Sequence, residues 1–178
     1  MQVQALWHLD FKRDIGTSSR KRPKGLGGFT IGVLVQSNFG VVLSINGAHI
    51  GKELERYPYK NAIEKSDGSC MIVALTGAPL DARQLVRISK KAMMGLVRTG
   101  CIASNGGGDY VVAASTAEDM RIPYSNREMT INGNIWSNDR ISPTFLATIE
   151  ATEEAIINSV FAAEDMAGRD RNGHGPSY

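Results

Sequence analysis

The sequence has few of the features that mark secreted, membrane or metal-binding proteins. Only two cysteines, Cys70 and Cys101, occur in 178 residues, and neither has a second Cys or His at the spacing of a metal site. No apolar run reaches the roughly 18 residues that a membrane helix needs. The N-terminus carries charges instead of the apolar segment of a secretory signal. We therefore expect two buried thiols in a cytoplasmic protein that does not contact a membrane.

The net charge of the chain does not indicate a particular class of binding partner. The 20 Lys and Arg residues nearly balance the 18 Asp and Glu residues, leaving a formal net charge of +2. The one basic cluster, residues 20–24, is short and lies beside glycines, which is typical of a solvated loop and disfavours a nucleic-acid partner. A chain of this length fits one domain with a sizeable core.

Hydrophobic patterning predicts strands and two long helices. Apolar, β-branched runs predict strands at residues 29–36, 70–76 and 110–115, and residues 41–45 resume as a partner strand after the break at Asn38-Phe39-Gly40. Residues 1–28 are poorly patterned and residues 52–65 resemble an exposed linker. Strands interrupted by two long helices favour a layered α+β fold.

Both helices have start and stop signals. Asp81 can cap a helix over residues 82–98 that Gly100 ends, and Ser142 can cap a second helix that Gly168 ends. The apolar stripes predicted for burial are Leu85, Ile88, Ala92 and Leu96 in the first helix, and Phe145, Ile149, Thr152, Ile156 and Val160 in the second.

The stretch that begins at Asp67-Gly68-Ser69 changes from a polar turn to a buried strand. A serine on such a rigid element can serve as a nucleophile, or it can be an ordinary turn residue. No Ser-His-Asp set is evident, because His8, His49 and His174 lie in turn-like or terminal stretches. Cleavage before Ser69 would solve the missing-base problem, because the new α-amine has a pKa of about 7.7–8.0 and can accept the hydroxyl proton.

Five ordered motifs together resemble one protein family. They are Gly-Val-Leu-Val-Gln-Ser-Asn-Phe-Gly at 32–40, Asp-Gly-Ser at 67–69, Ala-Pro-Leu at 78–80, Arg-Thr-Gly at 98–100 and Asn-Gly-Gly-Gly-Asp at 105–109. The chain resembles the L-aminopeptidase/D-alanine-esterase family (DmpA-type), which includes the β-peptidyl aminopeptidases. The resemblance runs from about residue 10 to about residue 169.

The resemblance implies a self-cleaving N-terminal-nucleophile hydrolase with an α+β, αββα-like layered fold. Cleavage between Gly68 and Ser69 would leave residues 1–68 as the end of an α chain and 69–178 as a β chain. Ser69 would attack the carbonyl of a substrate's N-terminal residue, Asn38 would stabilise the oxyanion, and Asp109 would orient an amine. Neither metal nor cofactor is implied; the expected partners are short peptide, amide or ester substrates and further αβ units in a homo-oligomer.

Two departures from the family pattern qualify this reading. In the loop at 105–109, which includes Asn105 and supports the site, Gly107 replaces a serine, so one hydroxyl is missing. Family members also carry a long region before a Phe-Lys motif, which Phe11-Lys12 resembles here, so the fold is expected to be incomplete. The alternatives are an inactive remnant that at most binds peptides, and an ornithine-acetyltransferase-like acyltransferase, which Ser69 in place of threonine disfavours.

Overall fold

A computed structural model describes residues 14–38, 42–55, 69–105, 107–122, 124 and 133–163. Its strands are β1 Ile15–Lys21, β2 Thr30–Asn38, β3 Ser69–Thr76 and β4 Tyr110–Ser115. Its α-helices are α1 Ile50–Glu53, α2 Ala82–Arg98 and α3 Ser142–Phe161, and three short 3-10 helices lie in the connections. The features predicted at Phe39-Gly40, over residues 56–65 and at Gly168 lie outside the described residues.

The four strands form one sheet in chain order. β1, β2 and β3 are antiparallel neighbours, and β4 pairs with β3 in parallel after the chain crosses over through α2. β3 thus pairs with a strand on each side. This interior position agrees with its continuous apolar sequence. The predicted central strand at residues 70–76 is confirmed and begins one residue earlier, at Ser69.

The strand predicted at residues 41–45 is wrong over its described part. Residues 42–44 are not in a strand, and Ile45 forms only an isolated bridge with Ala48. The antiparallel partners of β2 are β3 and the unpredicted β1, which lies in the stretch that showed no pattern. β1 is mostly polar and lies at the edge of the sheet that the described residues form, so periodicity does not reveal it.

Close packing against α3 explains the sequence of β1. A methyl group added to Gly16 would lie 1.9 Å from the carbonyl oxygen of Ala155, so only glycine fits there. Further along the same face of the strand, Ser18 and Arg20 bond to Glu154 of α3. On the face of β1 that contacts α3, the close approach requires glycine at position 16, and Glu154 bonds to the polar residues at positions 18 and 20.

The core lies between one face of the sheet and the two long helices. Alternate residues of β2 and β3 face this layer, while α2 and α3 close it from the other side. The fully buried apolar side chains include Ile31, Val33 and Val35 from β2, Cys70, Ile72 and Ala74 from β3, Ile88, Ala92 and Leu96 from α2, and Ala147, Ala151, Ala155 and Ile156 from α3. This alternation is the two-residue period of a half-buried strand.

Helix α2 matches its predicted bounds. The Asp81 carboxylate accepts the backbone N–H of Gln84 at 2.6 Å, and the Gln84 side chain accepts the N–H of Asp81 at 3.1 Å, which completes a capping box. The predicted buried stripe is confirmed at Ile88, Ala92 and Leu96. Gly100, with φ of 94°, follows the end of the helix.

Helix α3 departs from its predicted details. It already includes Ser142, and the capping position is Ile141, which has no side-chain capping bond. Of the predicted stripe, only Thr152 and Ile156 are fully buried; the other buried positions are small residues. Small side chains are needed here because α3 packs closely on both β1 and α2.

The opposite face of the sheet carries apolar side chains that the described residues leave exposed. Met71 and Leu75 of β3 are each 45% exposed, and Tyr110 of β4 is 62% exposed. A contiguous apolar surface of this kind normally contacts another protein layer. The described residues thus form two layers, a sheet and its helices. Within these ranges no helix has the length and apolarity to cross a bilayer.

We predict that Gly95→Ala destabilises the fold although alanine favours helix formation by about 1 kcal/mol. The added methyl group would lie 2.6 Å from the carbonyl oxygen of Ile149 and 2.7 Å from Cβ of Thr152, so α2 and α3 must separate. Urea unfolding should show a net loss of about 1–3 kcal/mol. Gly25→Ala is the control, because no atom lies within 4 Å of its added methyl group. Equal stability of both variants would contradict the packing argument.

Candidate functional site

Ser69 and Asn38 lie opposite each other where β2 ends and β3 begins. They are partners in the antiparallel register, which places their Cβ atoms about 4.5–5.5 Å apart on the same face of the sheet. Because Cys70, Ile72 and Ala74 face the helices, Ser69 and Asn38 face the open side. The predicted nucleophile and the predicted oxyanion donor are therefore brought together, 31 residues apart in sequence.

Asp109 enters the same corner from the other neighbour of β3. It precedes β4, whose first residue, Tyr110, pairs with Met71. The backbone N–H of Cys70 donates to the Asp109 carboxylate. Because Cys70 directly follows Ser69, this bond brings the acid close to Ser69. Next to it, a methyl group added to Gly108 would lie 3.5 Å from Oγ of Ser69. All three predicted catalytic residues thus meet at one end of the sheet.

The carboxyl group of Asp109 lies in an environment that disfavours its charge. Burial raises the pKa of Asp109 above its usual value of 3.8, and the hydrogen bond from Cys70 offsets only part of this effect. Oδ1 of Asp109 is buried and has no hydrogen-bond partner among the described residues. A buried acceptor of this kind is well suited to a cationic amine, which would restore the lost solvation.

The loop before Asp109 turns tightly. The N–H of Gly107 donates to the carbonyl of Ser104 at 2.9 Å, and Asn105 is exposed at the tip of this turn. Gly107 therefore belongs to the loop that carries Gly108 to Ser69. Gly68, the residue before the predicted cleavage point, lies outside the described residues.

The one histidine among the described residues, His49, bonds to a residue outside the candidate site. Nδ1 of His49 lies 3.1 Å from Oγ of Ser44, in the segment that leads into α1. His8 and His174 lie outside the described residues. In the part of the chain that the structure describes, no three His, Cys, Asp or Glu side chains form a metal-ligand set.

Two contributors to the site have no clear signal in the sequence. Gly108 lies in the motif at 105–109, but its closeness to Ser69 follows from the parallel pairing of β4 with β3. Cys101 has its Sγ 4.0 Å from Oδ2 of Asp109, eight residues away across the loop. Its place directly after the helix-ending Gly100 is the one local hint, and it does not indicate a contact with the acid.

Comparison with known proteins shows the family of the chain. A model described as peptidase family S58 matches residues 5–174. The chain therefore belongs to peptidase family S58, and the resemblance found in its motifs is confirmed.

The curated relatives are β-peptidyl aminopeptidases. The chain is 37% identical over 177 residues to BapA of Sphingosinicella microcystinivorans, and this match covers 89% of the chain but 43% of the relative. It is 35% identical over 170 residues to BapA of Sphingosinicella xenopeptidilytica, with 89% and 42% covered. The chain thus spans less than half the length of these relatives.

Solved structures give the same picture. The PH0078 protein of Pyrococcus horikoshii superposes with a TM-score of 0.76 at 44% identity, covering 90% of this chain and 43% of that one. The L-aminopeptidase D-Ala-esterase/amidase of Ochrobactrum anthropi, described as a variant of the Ntn hydrolase fold, gives 0.75 at 34% identity, with 89% and 42% covered. The predicted α+β fold of the N-terminal-nucleophile type, present in part, is confirmed.

We predict that Asp109→Asn leaves stability at neutral pH unchanged or higher. The pKa of Asp109 is higher in the folded state than in the unfolded state, so the folded state binds protons more readily. The free energy of unfolding therefore falls as the pH rises from the pKa of the unfolded state to that of the folded state. Asparagine removes this dependence because it carries no charge. Urea unfolding between about pH 4 and pH 7 measures it, with the exposed Asp119→Asn as control. A variant that is less stable than the wild type at pH 7 would show that the charge is fully compensated.

Proposed function

We propose that the complete protein is an aminopeptidase whose nucleophile is the N-terminal serine produced by cleavage before Ser69. The observation that carries this proposal is the meeting of three groups at one corner. Ser69 begins a rigid central strand, Asn38 is its register partner, and Asp109 accepts the N–H of Cys70. The family membership of the chain supports the same chemistry.

Self-cleavage would come first. Oγ of Ser69 attacks the carbonyl carbon of Gly68 and the peptide nitrogen takes up a proton, so the amide becomes an ester. Water hydrolyses the ester, which leaves a carboxylate on Gly68 and a free α-amine on Ser69. β3 retains the new terminus, because its pairing with β2 begins at Ser69 itself.

Substrate hydrolysis then reuses the same atoms. The α-amine of Ser69 takes the hydroxyl proton while Oγ attacks the carbonyl of the substrate's first residue. The side-chain amide of Asn38 donates to the oxyanion, and the protonated amine returns its proton to the leaving group. Water releases the acyl group from Ser69. The Asp109 carboxylate binds the ammonium group of the substrate or of Ser69, which fits its partnerless Oδ1.

Substrate class and assembly are further parts of the proposal. The relatives' names indicate β-peptides, and that of the Ochrobactrum protein indicates L-amino-acid and D-alanine derivatives. We propose short peptides, amides or esters with a free N-terminus, cleaved by cytoplasmic homo-oligomers of αβ units. The exposed apolar sheet face at Met71 and Leu75 provides a surface for the rest of such a unit.

One observation favours a second candidate, a peptide-binding homologue without activity. Gly107 lacks the hydroxyl that the family pattern has at this position, and its backbone N–H is already donated to the Ser104 carbonyl within the turn. Without that hydroxyl the loop can hold Asp109 near Ser69 and bind an amine, yet orient the nucleophile poorly. Binding of a short peptide without hydrolysis, by a cleaved and folded protein, would favour this candidate.

The cleavage step is tested by intact-mass spectrometry and N-terminal sequencing of the purified full-length protein. We predict a fragment that begins Ser-Cys-Met-Ile-Val and that is absent in Ser69→Ala. Ser69→Cys is the matched control, because a thiol can make the same attack and should retain cleavage. A folded, active protein that stays uncut would rule out the N-terminal-nucleophile mechanism.

We predict that Asn38→Ala lowers kcat about a hundredfold or more and changes KM and thermal stability little. An oxyanion donor acts mainly in the transition state, so its loss appears in turnover. Gln36→Ala is the control, because Gln36 lies two residues earlier on the same face of β2, opposite Met71. Hydrolysis of an aminoacyl p-nitroanilide measures both variants. Near wild-type turnover of Asn38→Ala would remove Asn38 from the site.

A further inference from the structure

The thiol of Cys101 lies beside the candidate acid. Cys101 is 6% exposed and follows Gly100 at the end of α2. Its Sγ lies 4.0 Å from Oδ2 of Asp109, within reach of a long thiol-to-carboxylate hydrogen bond. This contact crosses the loop that joins α2 to β4.

The backbone around Cys101 determines which way the thiol can donate. The N–H of Ala103 donates to Sγ at 3.4 Å, so the sulfur already accepts a hydrogen bond on that side. Ala103 has φ of 47°, a left-handed conformation that an alanine rarely adopts without a constraint. The sulfur therefore accepts from Ala103 on one side and lies within donating distance of Oδ2 of Asp109 on the other.

The start of the loop is fixed by a neighbouring segment. A methyl group added to Gly100 would lie 2.1 Å from the carbonyl oxygen of Val42, so the two backbones touch. The carbonyl of Thr99 accepts the N–H of Ser44 at 3.1 Å. Cys101 therefore directly follows a segment that is anchored through its backbone.

We propose that Cys101 is a positioning residue that donates its thiol hydrogen to Oδ2 of Asp109 and so leaves Oδ1 directed at the amine. This role rests on the proposed function of Asp109. The Cys70 N–H and the Cys101 thiol both bond to the carboxylate, and Oδ1 is the oxygen without a partner among the described residues. A merely structural Cys101 would be a small apolar residue that fills space.

The hydrogen bond has a measurable consequence. Donation to the carboxylate favours its charged form, against the burial that raises the pKa of Asp109. In Cys101→Ala the titration of Asp109 should move up by about half a pH unit to one unit. Below the titration of Asp109, kcat/KM of Cys101→Ala should fall about three- to tenfold further than that of the wild type, because ionisation of Asp109 adds a second acid limb below the one set by the Ser69 α-amine.

The experiment uses the full-length protein with ¹³C-labelled aspartate. Asp109→Asn assigns the carboxyl signal, which is titrated in the wild type, Cys101→Ala and Cys101→Ser, alongside the pH profile of kcat/KM. Serine retains a donor, so its titration should fall between those of the wild type and alanine. Ile102→Ala is the matched control, since Ile102 is exposed in the same loop and should leave both curves unchanged.

Each outcome decides the proposal. An Asp109 titration that is the same in Cys101→Ala and the wild type overturns it, as does a serine variant that behaves like alanine. If the alanine variant does not fold, the infrared S–H stretch replaces it, measured with Cys70→Ala in the background; an identical band in Asp109→Asn overturns the hydrogen bond. A shifted titration in a protein without aminopeptidase activity upholds the thiol contact and refutes the proposed function instead.

Discussion

The antiparallel register between β2 and β3 is the constraint on which the rest of the site depends. It places Asn38 opposite Ser69, and it holds Ser69 at the first paired position of an interior strand. A slip of β3 by one residue against β2 would turn Ser69 toward the helices, away from Asn38, and the core residues of β3 toward the open face. The buried alternation of Val33, Val35 and Ile72 therefore determines where the nucleophile points, although none of these residues touches it.

The helix layer keeps this register by close packing. Small residues along α3 let it lie against both α2 and β1, and Gly16 and Gly95 mark the points of closest approach. Because such contacts leave little room for movement, the sheet end that carries Ser69, Asn38 and Asp109 is held from one side. The other side is apolar and exposed in the described residues, which agrees with a chain that covers less than half of its relatives.

Capping residues and hydrophobic patterns predicted the elements that depend mainly on their own sequence. Helix α2 was predicted to the residue because Asp81 and Gly100 are strong end signals. Strand β3 was predicted because a continuous apolar run is typical of an interior strand. The polar strand β1 was missed, and a strand at residues 41–45 was predicted wrongly, because edge pairing depends on which neighbour is available. In α3 the buried small residues carry little hydrophobic signal, so the predicted stripe favoured larger side chains that lie at its margins.

By itself, the sequence determined the kinds of chemistry that are present: a serine after glycine at the start of a core strand, an asparagine at a strand end, and an acid after a glycine-rich loop. Its ordered motifs also determined the family. Only the tertiary structure decided that these groups share one corner, that Asp109 bonds to the N–H of Cys70, and that Cys101 lies against the acid. The physical reason is that strand register and the crossover through α2 join residues that are distant in the chain, and no local pattern encodes such distances.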